Sequence, residues 1–146
     1  MPDEPDPIDV AARALRHRDR SRAQVSERLA RAGVGDEQRE NALDTLARVG
    51  YVDDARFAAN RAATLAARGL GDEAIRHDLD GSGVPAEAAD AALAGLEPEA
   101  ARARAIAERT GRTAKTAAQL ARKGFSEESI EAAVGWEIAG GSAGGV

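Results

Sequence analysis

Cysteine is absent from this chain, which excludes disulfides and thiolate metal sites. Aromatic residues are nearly absent too, with two Phe, one Tyr and one Trp in 146 residues. Any core must therefore be thin and aliphatic, and no interleaved aromatics offer a platform on which nucleic-acid bases could stack. Apolar stretches are short and broken by charge, and the opening MPDEPDPID is acidic. Both features argue against a membrane span and a secretory signal, so a soluble cytoplasmic protein is expected. No segment alternates in the manner of a strand, whereas Ala, the best helix former, dominates the apolar fraction. The fold class expected is all-α.

What the chain does have is internal repetition. An apolar residue is followed by Leu fourteen positions on, Gly four after that, and an apolar residue ten beyond the Gly. Leu15, Leu29, Gly33 and Leu43 fit, as do Leu65, Leu79, Gly83 and Leu93, and again Ile106, Leu120, Gly124 and Val134. Val34, Val84 and Phe125 follow the glycines, and Ala42, Ala92 and Ala133 precede the last apolar position. Self-similarity at this period marks stacked helical units, each too small to be stable alone and therefore dependent on its neighbours. The expectation is three tandem three-helix repeats in an elongated, curved array.

Residues 1–10 are expected to form a disordered acidic leader, followed by repeats over 11–50, 51–97 and 98–139 and a flexible Gly-rich tail at 140–146. The first helix should reach about Arg18. Ser21 with Gln24 reads as a capping box, and Gly33 as a left-handed helix stop. Asp53 or Asp54 should cap the long first helix of the second unit. Pro85 and Pro98 fit first helical positions, while Thr113 and Ser126 read as caps. Thr116 stands where the first two units carry Val25 and Ile75, which predicts a weaker third core.

Charge is segregated within a net −5. Arg13, Arg16, Arg18, Arg20, Arg22, Arg28 and Arg31 face only two acids between residues 11 and 35. Residues 36–101 are strongly acidic. Arg102, Arg104, Arg109, Arg112, Lys115, Arg122 and Lys123 face a single acid between 102 and 123. Two basic segments around an acidic middle suit docking on a charged protein assembly at least as well as lying on naked nucleic acid.

The stretches ALRHRDRSRAQVSERLARAGV, LARVGYVDDARFAANRAATLAARGLGDEAIRHDLDGSGV and QLARKGFSEESIEAAV resemble the RecX family, regulators of the RecA recombinase, over roughly residues 11–138. The most specific element is the run from Gly50 to Ala58, which includes Asp53, Asp54, Arg56 and Phe57. The resemblance implies a curved three-repeat protein that binds RecA, as a filament on single-stranded DNA, and restrains it in recombination, DNA repair and the SOS response. Weak direct DNA contact accompanies that reading, with no small-molecule substrate.

Candidate partner-binding residues are Arg13, Arg16, Arg18, Arg20, Arg22, Arg28 and Arg31, together with Arg102, Arg109, Arg112, Lys115, Arg122 and Lys123. Gly50, Asp53, Asp54, Arg56 and Phe57 read as structural, because N-capping and packing explain them without a ligand. His17 and His77 have no partner at a ligand spacing. Ser21, Thr113 and Ser126 have no base arranged beside them. The Gly-rich segments lack the Lys-Ser/Thr of a phosphate loop. A non-enzymatic protein without cofactor or metal is expected. The competing reading is a helix-turn-helix DNA-binding module in which the Arg-rich second helix enters a duplex groove.

Overall fold

The structure, a computed structural model, describes residues 5–135. Among the described residues the chain is helical throughout. The helices are α1 (Pro7–Leu15), α2 (Arg22–Arg31), α3 (Asp36–Arg48), α4 (Asp54–Ala67), α5 (Asp72–Gly81), α6 (Ala86–Ala94), α7 (Glu99–Thr110), α8 (Ala114–Arg122) and α9 (Glu127–Val134). They form three consecutive three-helix units. The tail expected at 140–146 and the first four residues of the expected leader lie outside the described residues.

The first helix starts and ends earlier than the sequence reading placed it. Asp6 accepts a hydrogen bond from the Ile8 amide at 3.0 Å, and Pro7 opens α1. Proline suits that position because its missing N–H would have been an orphan there. Residues 7–10 are thus helix rather than disordered leader. At the other end, the Arg20 side chain folds back and donates Nε–H to the Ala14 carbonyl at 2.7 Å. That bond satisfies a terminal carbonyl and turns residues 16–20 into a loop, so α1 ends at Leu15 and not at Arg18. Pro85 and Pro98 sit one residue before the first helical position, as N-caps with ψ of 150° and 141°.

The repeated Leu and Gly do the same work in each unit. Leu29, Leu79 and Leu120 are fully buried at equivalent places in α2, α5 and α8. After each comes a glycine in the left-handed region: Gly33 at φ 89°, Gly83 at 77° and Gly124 at 93°. The next residue then donates its amide back to the repeat Leu carbonyl, Val34 to Leu29, Val84 to Leu79 and Phe125 to Leu120, at 3.0–3.1 Å. This is a Schellman stop, and the apolar residue following the glycine packs under the helix end. Each unit has its own buried cluster, around Val25, Leu29 and Leu43, around Phe57, Ile75 and Leu79, and around Leu120, Phe125 and Ile130. Thr116 is buried at the register of Val25 and Ile75, and its hydroxyl lies 3.3 Å from those of Thr110 and Thr113. The third core thus accommodates a hydroxyl by pairing it.

The units meet through a joint built twice. In the first joint the N-cap residue of α2, Ser21, donates its hydroxyl to the Ser82 carbonyl at 2.5 Å, next to Gly83. In the second the N-cap of α5, Gly71, donates its amide to the Lys123 carbonyl at 2.9 Å, next to Gly124. The repeat glycine thus seats against the start of the preceding unit's second helix: a Cβ on Gly83 or Gly124 would collide with the methyl of Ala23 or Ala74. Each joint also carries a carboxylate from the first residue of the following unit's opening helix. Asp54 accepts from the Arg22 amide at 2.8 Å, and Glu99 from the Asp72 amide at 2.7 Å. Both amides are orphan donors at a helix start, where negative charge is also favoured by the dipole.

Glu99 does more than its counterpart. Its other oxygen accepts from the Ser126 hydroxyl at 2.8 Å, the Ser126 amide at 3.2 Å and the Ser129 hydroxyl at 2.7 Å, so one carboxylate holds α5, α7 and α9 together. Burial pushes its pKa upward, but the donated hydrogen bonds outweigh burial and hold it below the usual glutamate value. The unfolded chain therefore binds the proton more readily, and stability rises with pH across that window. The contribution is complete above the ordinary glutamate range and is lost as pH falls through the folded value. Glu99→Gln should lower the melting temperature at neutral pH, and the gap to wild type should close as acidification protonates Glu99 in the folded chain. A gap of unchanged size in acid would assign the loss to packing instead of charge.

Candidate partner-binding surface

The basic residues of the first segment divide into two groups in the folded chain. Arg20 is held to Ala14, and Arg22 is tied to Glu40 at 3.2 Å and Asp44 at 2.8 Å on α3. Arg31 pairs with Glu27 one turn away on α2. Hydrogen bonding to Asp44 is the leading reason that the Arg22 pKa is raised. Of the candidate binding residues, Arg20 and Arg22 are thus half-buried and bonded within the chain. By contrast Arg13, Arg16, Arg18 and Arg28 are exposed and make no ion pair among the described residues. Their charge is felt nearby. The Arg20 pKa is lowered, first by burial and then by repulsion from Arg28 and Arg18. Arg13, Arg28 and Arg31 also line a cleft of about 380 Å³ between α1 and α2.

The third-unit bases divide in the same manner. Arg102 belongs to the second joint, where it bonds Asp72 at 2.9 Å and the Leu70 carbonyl at 3.0 Å, with its guanidinium 5.8 Å from the Phe125 ring centroid. A cation over an aromatic face adds attraction to the ion pair. Arg104, Arg109, Arg112, Lys115, Arg122 and Lys123 are exposed without an ion pair among the described residues. Arg109 and Lys123 line a shallow groove of about 220 Å³ where α4 meets α7 and α8. The acidic middle unit pairs two of its four arginines internally, Arg61 with Asp78 at 2.8 Å and Arg76 with Asp90 at 2.5 Å. Of the other two, Arg56 bonds Asp19, and Arg68 alone is exposed without an ion pair among the described residues. Exposed, uncompensated positive charge is thus concentrated on the two outer units.

The segment from Gly50 to Phe57 is occupied by structural tasks. Gly50 takes φ 84° to end α3. Val52 and Phe57 are buried. Asp53 caps α4 by accepting from the Arg56 amide at 3.0 Å, while Asp54 is committed to the first joint. The Arg56 guanidinium grips Asp19 at 3.1 and 3.2 Å and the Gly50 carbonyl at 2.7 Å. That pins the loop after α1 against the start of the second unit. Asp19, Gly71 and Glu99 were not singled out in the sequence. Each works across a joint, and only an alignment of helix starts would have shown that Asp54 and Glu99 occupy equivalent positions.

Among the described residues, no three His, Cys, Asp or Glu come together in a way that could hold a metal ion, and no helix is long and apolar enough to cross a membrane. The architecture defines a helical-repeat protein of three three-helix units.

Comparison with known proteins narrows the class. Residues 53–93 match the family described as RecX, second three-helix domain. The regulatory protein RecX of Mycobacterium leprae is 34% identical, over 89% of this chain and 84% of its own length. That of Chromohalobacter salexigens is 37% identical, over 90% of this chain and 93% of its own. The crystal structure of RecX from Lactobacillus salivarius superimposes with a TM-score of 0.76 at 19% identity, covering 88% of this chain and 92% of that one, which shows a shared fold. The chain belongs to the RecX family of regulatory proteins.

Proposed function

We propose that this chain binds RecA, as a filament on single-stranded DNA, and restrains its activity in recombination and DNA repair in the cytoplasm. The observation that carries the reading is the charge arrangement of a RecX-family array. Exposed arginines and lysines without an ion pair cluster on the first and third units, while the middle unit leaves only Arg68 in that state among the described residues. Such a surface fits an extended, regularly charged assembly touched at two places, where complementarity steers encounter and fixes register. Regulation then follows from unequal affinity for filament states, since a ligand shifts an equilibrium only by the difference in its binding to the two sides. Chemistry by the chain itself is not required.

The test is RecA ATP hydrolysis on single-stranded DNA, titrated with the wild-type chain. Hydrolysis should fall in a saturable manner as the chain is added. Unchanged hydrolysis, accompanied by sequence-selective binding to duplex DNA, would favour a groove-reading helix-turn-helix module instead.

A further inference from the structure

Tyr51 is the residue of the Gly50–Phe57 segment to which the fold gives no side-chain task. Its neighbours turn, cap, bridge or pack, yet its own side chain is 64% exposed. Across Gly50 lies Val49, 58% exposed, and these two are the most exposed large apolar side chains among the described residues. They project from the corner between α3 and α4. Arg56 also donates to the Tyr51 carbonyl at 3.4 Å while holding Asp19, which brings the loop containing Arg16 and Arg18 beside this corner. Arg48 sits on the adjoining last turn of α3.

Acids near this corner are already in use. Asp19 is held by Arg56, and Asp53 caps α4. Arg16, Arg18 and Arg48 are exposed and make no ion pair among the described residues. An aromatic and an aliphatic side chain, with an unpaired Arg48 next in sequence and the Arg16–Arg18 loop tethered alongside through Arg56 and Asp19, combine an anchor with a steering field. Tyr and Arg are the residue types that carry interface energy. A lone tyrosine beside a valine cannot form the row of rings that binds successive bases, so the corner fits protein better than nucleic acid.

We propose that Val49 and Tyr51 anchor the partner protein, seating against an acidic segment that carries an apolar side chain. The inference rests on the RecA-docking reading and names the contact within it. The experiment measures binding of the full chain to RecA filaments on single-stranded DNA. Tyr51→Ala should weaken binding at least about tenfold, Tyr51→Phe should retain most of it, and Arg48→Glu should weaken it in a salt-dependent way. Thermal melting of Tyr51→Ala should match wild type, because the side chain is largely in solvent. Tyr51 is the sole tyrosine of the chain, so nitration read by mass spectrometry on its peptide gives an independent signal. The filament should protect it, and naked single-stranded DNA should not.

Wild-type binding with undiminished Tyr51→Ala affinity and an unprotected tyrosine would overturn the anchor while leaving docking intact. Equal protection by naked single-stranded DNA would overturn it in favour of a nucleic-acid contact. Failure of the wild-type chain to bind RecA at all would overturn the docking reading and the anchor with it.

Discussion

Replacing Gly71 by Val should detach the third unit from the second at a cost of at least about 3 kcal/mol, a loss confined to a few mechanisms such as forced overpacking. Gly71 has an ordinary φ of −84°, so torsion does not demand glycine here. Close approach does. A Cβ would stand 2.5 Å from the carbonyl carbon and oxygen of Gly124 and from the Phe125 amide nitrogen. These are backbone atoms and cannot rotate aside, so the joint must open. Opening it removes the bonds from Gly71 to Lys123 and from Asp72 to Glu99. In a linear array the loss should appear as loss of coupling between neighbours as well as a lower midpoint. Unfolding should split into two stages, with amides of α7–α9 exchanging first. Gly35 is the internal control, since a Cβ there meets nothing within 4 Å. A single transition at the wild-type midpoint for Gly71→Val would refute the joint.

The second large effect concerns binding. Reversing Arg13, Arg16, Arg18 and Arg28 to Glu should weaken binding to RecA filaments by about a hundredfold or more, because steering charges become repulsive ones. These four are chosen because they are exposed and unpaired among the described residues, so helical content and melting should change little. Arg22→Glu is the contrasting substitution. It opposes Glu40 and Asp44 and should destabilise the first unit. Binding by wild type should also fall as salt shortens the Debye length from about 10 Å at 0.1 M. Full affinity in the fourfold variant would remove this face from the docking surface.

Much of the fold was legible because its signals are local. Leu29, Leu79 and Leu120 share a register, and their glycines complete a stop within five residues of chain. The capping box at Ser21 and Gln24 forms as the S-x-x-Q spacing predicts. The ends of α1 were less legible. A Pro after Asp opened the helix earlier than the acidic composition suggested, and a side chain six residues away closed it. The joints were not legible, because Asp54 reaches across 32 residues and Glu99 across 27 to cap helices in another unit. Nor did composition divide the arginines. Whether Arg22 meets solvent or Asp44 is decided by the packing of α2 on α3, while Arg18 on the preceding loop stays in solvent. Tyr51 stood out only once every neighbour had a task.

The most direct measurement is co-sedimentation of the wild-type chain with four partners at one salt concentration: RecA filaments on single-stranded DNA, free RecA, naked single-stranded DNA and duplex DNA. Saturable binding that is tightest to the filament is the expected result. Equal or tighter binding to naked DNA, with none to RecA in either form, would contradict a RecA-docking array.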